Sequence, residues 1–320
     1  MRPVRGAALL LVLWVIVMLT GVITLFATAA RTEGLQGRTL ARATAARYAA
    51  EAGIDVAVLH LQGGDMQQRW LPDGRPQRFA FEGHRIELRV VDEAAKVDLN
   101  AAPPDVLAGL FIALGVDQDR ARALAGAIVD WRDADNLLTA EGGAEDPDYE
   151  HAGLPYGAKD RPFDTVAELQ QVLGMDAVTL QRARPYLTVY TGQARPTPTF
   201  AALPVLQALG LTPEQAELVR SQRGEPVAGG PGASGDGDAR DAGDAAGEAR
   251  PPPRTVQGPA PLPGQLATLA AQGTGTYSIS SLATRADGTR VRIQTTLRIG
   301  GGSGSGQLYL PLSWHVGETD

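Results

Sequence analysis

The stretch AALLLVLWVIVMLTGVITLFATAA, residues 7–30, runs for twenty-four residues without a charge. At ~1.5 Å rise per residue a helix of that length covers roughly 36 Å, enough for the ~30 Å hydrocarbon core of a bilayer. Arg2 and Arg5 precede it, and Gly6 stands directly before it. By the positive-inside rule the two arginines hold the N-terminus in the cytoplasm and send the rest of the chain across the membrane. A cleaved secretory signal competes with this plain anchor. Ala27-Thr28-Ala29 imitates a cleavage site, but the apolar run exceeds the ~7–15 residues of a signal core.

Outward from that run the helical signal continues. Residues 31–62 are rich in Ala, Leu, Gln, Arg and Glu, all good helix formers. Leu40, Ala43, Arg47 and Ala50 occupy one side. Tyr48, Ala52, Val56 and Leu59 recur at three- and four-residue steps and predict an apolar stripe. Gly34, Gly37 and Gly53 weaken the helix locally. One long helix is expected, half in lipid and half outside, ending near Gly63-Gly64.

Residues 63–78, with Pro72, Gly74 and Pro76, read as a polar loop. Ile86, Leu88 and Val90 then alternate with Arg85, Glu87 and Arg89, which predicts a half-buried strand over about 79–91. From Val97 the period turns helical, with Asn100 as the expected N-cap. Leu114-Gly115-Val116, Leu173-Gly174-Met175 and Leu209-Gly210-Leu211 repeat one motif, each followed by a helical stretch. Ala121 and Ala216 both lie six residues after their glycine. Glycine suits a sharp turn between two helices, so a helix-hairpin-helix or SAM-like block is expected. Residues 224–264 hold almost no large apolar side chain and read as a disordered linker. Strands return after 275, with Asp287-Gly288 as a hairpin turn, Gly300–Gly306 as a loop, and a last strand through Leu308, Leu310, Leu312 and Trp314.

The expected fold class is therefore α+β: a long N-terminal helix packed on an antiparallel sheet, with a large inserted α-helical subdomain. The expected boundaries are 1–6, 7–30 in the membrane, 31–97, the insert at 98–223, the linker at 224–264 and the C-terminal strands at 265–320.

Charge and residue types exclude several functions. The net charge is −7 and cysteine is absent, so disulfides do not stabilise the chain. From Leu99 to Tyr190 seven Lys/Arg face fifteen Asp/Glu, a net of −8. Helix hairpins that grip DNA phosphates need the opposite balance, so no nucleic-acid partner is expected. His60, His84, His151 and His315 show no ligand spacing. No nucleophile–base constellation is visible, so the chain does not read as an enzyme.

Site chemistry concentrates in DWRDADNLLTAEGGAEDPDYE, residues 130–150, with eight carboxylates and one arginine. Carboxylates packed this closely repel unless they are solvated or share a cation, and hard oxygen ligands suit Ca²⁺. Gly142, Gly143 and Pro147 let the loop fold back on itself. The candidate ligands are Asp133, Asp135, Glu141, Glu145, Asp146 and Asp148. An EF-hand is excluded, because a loop begun at Asp130 places Arg132 and Ala134 at ligand positions. An acidic solvated loop is the competing reading.

Together these pieces resemble the protein K family of the general, or type II, secretion pathway, the large minor pseudopilins. The resemblance rests on the Gly6-ended leader and on an apolar start with no Glu at Leu11. It rests also on Ala49-Ala50-Glu51-Ala52-Gly53, on Val97-Asp98-Leu99-Asn100-Ala101-Ala102-Pro103, and on the Asp130-Trp131-Arg132-Asp133-Ala134-Asp135 and Gly143-Ala144-Glu145-Asp146 segments. It implies a pilin-like fold in which prepilin peptidase cleaves after Gly6 and N-methylates Ala7. It implies an inner-membrane anchor with the soluble part in the periplasm, and a place at the pseudopilus tip with minor pseudopilins I and J above the major pseudopilin. It also implies a structural Ca²⁺ in the acidic loop. A minor pilin of a type IV pilus and a membrane-anchored helix-hairpin-helix DNA-binding protein are the other readings.

Overall fold

A computed structural model describes residues 7–62, 70–140, 142–221, 223, 275–300 and 308–317. The leader, the 224–264 tract and nearly all of the glycine loop lie outside the described residues.

Helix α1 runs unbroken from Ala7 to Gln62, 56 residues; the expected end at Gly63-Gly64 lies outside the described residues. Side chains from Leu9 to Arg42 are exposed; those around Ala46–Leu61 pack on a sheet. The packing face is not the predicted one. Tyr48 and Leu59 are 64% and 67% exposed, whereas Ala46, Ala49, Ala50, Ile54, Ala57, Val58 and Leu61 are buried. Small side chains own the contact because they let the helix approach closely. Gly53 is the extreme case, since a Cβ there would stand 2.7 Å from Ser281 Oγ.

The sheet is antiparallel and five-stranded, in the order β1 (Asp73–Phe81), β2 (His84–Asp92), β5 (Gly275–Arg285), β6 (Arg290–Ile299), β7 (Tyr309–Gly317). One expected strand near 79–91 is thus a hairpin of two, turning at Glu82-Gly83. Residues 73–78, read as loop, belong to β1. Proline misled the reading: β1 is an edge strand with an irregular register between Asp73 and Pro76, where a missing N–H costs no ladder bond. The Asp287-Gly288 hairpin joins β5 and β6 as predicted. Ile86, Leu88, Ile279, Ile293 and Leu297 face α1 and form one core.

Between β2 and β5 the chain builds a helical block with its own core. Short strands β3 (Val97–Asp98) and β4 (Leu187–Thr188) pair in parallel, joining the chain's entry into the block to the segment that leads on to its second helix hairpin. Helices α2 (Pro104–Ala113) and α3 (Gln118–Arg132) form one hairpin, and α6 (Leu203–Ala208) and α7 (Pro213–Ser221) form another. Between them lie α4 (Asp146–His151) and α5 (Ala177–Ala183). Gly115, Gly174 and Gly210 all adopt left-handed φ of 82–87°, as the repeated motif predicted. After the first and third, Val116 N–H donates to Phe111 O and Leu211 N–H to Leu206 O, closing each helix end. Ala121 and Ala216 are fully buried in this second core.

Asn100 does not cap α2. Pro103 and Pro104 push the preceding residues into extended geometry, so the helix starts only at Pro104. Asn100 instead bridges to Phe163: its Oδ1 accepts from Phe163 N–H at 2.7 Å and its Nδ2 donates to Phe163 O at 3.0 Å.

Candidate metal centre

The end of α3 positions the acidic loop. Its helical period turns Asp130 and Trp131 inward. Trp131 packs among Tyr149, Tyr156 and Phe163, with ring centroids 5.9, 6.4 and 6.3 Å away. Arg132 reaches back to the start of the block, donating to Leu99 O and, at 2.7 Å, to Ala102 O.

Asp130 folds the loop. Its Oδ1 accepts from Thr139 N–H at 3.0 Å and from the Thr139 hydroxyl, and its Oδ2 accepts from Ala144 N–H at 2.8 Å. A Cβ at Gly143 would collide with Asp130 Oδ2, so glycine is required there. The loop thereby delivers Glu145 to the buried end of α4. Asp148 Oδ2 accepts from Glu145 N–H at 3.0 Å, and Asp146 Oδ1 accepts from Ala158 N–H at 3.0 Å. Asp135 Oδ1 accepts from Leu137 N–H at 2.9 Å.

What remains is a set of buried carboxylate oxygens with no hydrogen-bond partner among the described residues: both oxygens of Glu145, Oδ1 of Asp133 and Oδ1 of Asp160. Glu145 is only 3% exposed. Burial, then the charges of Asp130, Asp133, Asp160 and Asp146, push its pKa up to about 7. Burial, then Asp135 and Asp130, raise that of Asp133 against the opposing pull of Arg132. Asp160 holds a left-handed φ of 53°, uncommon for a residue other than glycine. Its neighbour Lys159 is engaged elsewhere, with Asp164 at 2.8 Å and Glu168 at 2.6 Å.

Such bare, mutually repelling oxygens suit a hard cation. The fit is one of donor chemistry: among the described residues, no three His, Cys, Asp or Glu side chains already stand together as a metal cage. Of the predicted ligands, Asp133 and Glu145 feel each other's charge, as do Asp133 and Asp135, and Glu145 and Asp146. Asp148 is committed to the backbone at the start of α4. Glu141 lies outside the described residues. Asp160 escaped the sequence reading because Lys159 and Arg161 flank it and made it look like an ordinary surface residue.

A family model described as type II secretion system (T2SS), protein K, matches residues 84–192, which contain this entire centre. A type II secretion system protein K from Pectobacterium carotovorum subsp. carotovorum is 28% identical over 249 residues, covering 68% of this chain and 75% of that one. Over residues 84–192 the chain is thus similar to type II secretion system protein K. Its role is that of a minor pseudopilin in type II secretion. A second K protein, from Pseudomonas aeruginosa, is 29% identical over 153 residues, 45% of this chain and 46% of that one. The fold agrees with that of a chain in the crystal structure of the GspK–GspI–GspJ complex from enterotoxigenic Escherichia coli. The TM-score is 0.56 at 16% identity, covering 89% of this chain and all of that one. At its N-terminal end α1 is long and apolar enough to cross a membrane.

Proposed function

We propose that this chain caps the tip of a type II secretion pseudopilus, in a complex with I- and J-type minor pseudopilins, and rides above the major pseudopilin. Its leader is cut after Gly6 by prepilin peptidase, which then N-methylates Ala7. The helix anchors it in the inner membrane with the sheet and helical block in the periplasm. It acts as a structural subunit, not as an enzyme.

The observation that carries this reading is α1: a bare apolar half continuous with a half packed on an antiparallel sheet. Leu11 supports the tip position. A subunit with no neighbour further out has no amine to meet a buried carboxylate, and an unpaired one only costs free energy. The E. coli complex, named for K, I and J subunits, supports the choice of partners.

Ca²⁺ belongs to the same proposal. Asp133, Glu145 and Asp160 would hold it, with Asp135 and Asp146 adjacent, and the ion would supply the positive charge that their unpaired oxygens lack. The test is the mature N-terminus by mass spectrometry. N-methylated Ala7, lost in Gly6→Val, is expected. A mature end near Ala30, or unchanged processing in Gly6→Val, would overturn the pseudopilin assembly role.

A further inference from the structure

A second site lies away from the acidic loop, at the junction of the sheet with the second helix hairpin. A cavity of about 800 Å³ opens between the start of β1 and helices α6 and α7. That volume is at the upper end of the ~300–1,000 Å³ typical of ligand sites, far more than a simple anion fills. Clefts at such domain junctions are where ligand sites concentrate.

Its charge is opposite to that of the chain. Arg75, Arg89, Arg220 and Arg223 line it against only Asp73 and Glu217, in a protein of net charge −7. Arg75 pairs with Asp73 at 2.7 Å, Arg89 with Glu87 at 3.0 Å from outside the lining, and Arg220 with Glu217 at 3.0 Å; the last two arginines are half-exposed and can turn to a ligand. Among the described residues Arg223 has no carboxylate partner. Its Nη2 donates to the carbonyls of Ala201 at 2.5 Å and Pro198 at 3.3 Å, and its Nε is buried with no partner among them. Burial above all lowers its pKa; Asp73 opposes this, and the charges of Arg220 and Arg75 lower it further. A guanidinium offers five donors arranged for planar carboxylates. The floor is different: Tyr186, Leu203 and Pro204 give the cleft an apolar surface beneath its arginine rim.

We infer that this cleft receives an acidic peptide segment of another protein, its carboxylates on Arg89, Arg220 and Arg223 and one apolar side chain on the Tyr186–Leu203 floor. A lone phosphate would leave the apolar floor and most of the volume unused. A peptide uses both, and its extended carboxylates span the distance from β1 to α7. The inference rests on the cleft alone and survives if the tip assignment fails.

The experiment is fluorescence anisotropy on the full chain in detergent, with a labelled hexapeptide of five glutamates around one leucine. Arg89 and Arg220 are half-exposed, so the double variant Arg89→Glu, Arg220→Glu keeps the fold, as an unchanged thermal melt verifies. Saturable binding is expected, weakening about tenfold or more in the double variant and with added salt. Replacing the central leucine with serine should weaken it several-fold. Inorganic phosphate and duplex DNA serve as competitors. No saturable binding, equal affinity for the lysine counterpart peptide, or indifference to the double variant each overturns the proposal. Displacement by phosphate or DNA at lower concentrations than the peptide needs, with no leucine effect, makes the cleft a phosphate site and also overturns it.

Discussion

Two aspartates six residues apart show how differently one residue type behaves. Asp98 is fully buried and fully engaged: its Oδ2 accepts from Thr191 N–H and Oγ–H and from Gly192 N–H at 2.8–2.9 Å, and its Oδ1 from Asn100 N–H. It therefore ties the way into the helical block to the segment that leads from α5 to the second helix hairpin. Asp98→Asn puts an amide donor against those donors, and a loss of about 3 kcal/mol or more in urea unfolding is expected; a loss under about 0.5 kcal/mol refutes the clamp. Asp92 is nearly the reverse. Burial, ahead of the repulsion of Glu93, raises its pKa from 3.8 to about 6, although its Oδ1 accepts from Ala94 N–H. Because the folded value lies above the unfolded one, folding favours the protonated acid. The penalty is absent below about pH 4, grows through pH 4–6 and is complete above pH 6. Asp92→Asn keeps the acceptor and removes the charge, so it should stabilise by about 1–3 kcal/mol at pH 7–8 and by nothing at pH 4. A gain independent of pH would refute the assignment. Neither role is legible in the sequence, where the partners Thr191 and Gly192 lie more than ninety residues from Asp98.

At the scale of elements, α1 shows what hydrophobic periodicity can and cannot decide. Its continuity from the apolar run to Gln62 followed from the sequence alone; its buried face did not. Size-weighted patterning picks out Tyr48 and Leu59, but the sheet selects Ala46, Ala50, Gly53 and Ala57, because close approach buries more surface than bulky side chains at a distance. Gly53→Val must displace Ser281 and Ile86, whose Cγ2 stands 3.1 Å from the new Cβ. A destabilisation of about 1–3 kcal/mol is expected, against less than about 0.5 kcal/mol for Leu59→Ser on the exposed face. Equal costs in urea titrations would assign the wrong face. The same comparison explains why β1 was missed and the glycine turns were not. Proline punctuates a central strand but not an edge strand such as β1, whereas Gly115, Gly174 and Gly210 report a left-handed φ that no neighbour can alter.

At the scale of the molecule, two separate cores meet at one short junction, and the metal question belongs to only one of them. The α1–sheet core contains none of the acidic loop, whereas the core of the helical block contains Trp131, Ala144 and Tyr149, which neighbour Glu145. A cation bound there stabilises the helical block directly and reaches the sheet only indirectly, across a junction where Thr197 N–H donates to Ala94 O and Arg298 to Tyr190 O. Chelator added to the detergent-solubilised chain should therefore lower a melting transition followed by Trp131 fluorescence. At calcium a hundred times its dissociation constant the loss corresponds to about 2.7 kcal/mol. The transition of the sheet, followed by far-ultraviolet β signal, should move little. Glu145→Gln separates the ion from the packing. Its neutral amide relieves the repulsion from Asp130, Asp133 and Asp160, so the variant should melt higher than the calcium-free protein while losing its response to calcium. A chelator-insensitive melt of the parent chain removes calcium from the acidic loop. A Glu145→Gln chain that melts below the calcium-free parent shows that the carboxylate serves packing and not a cation.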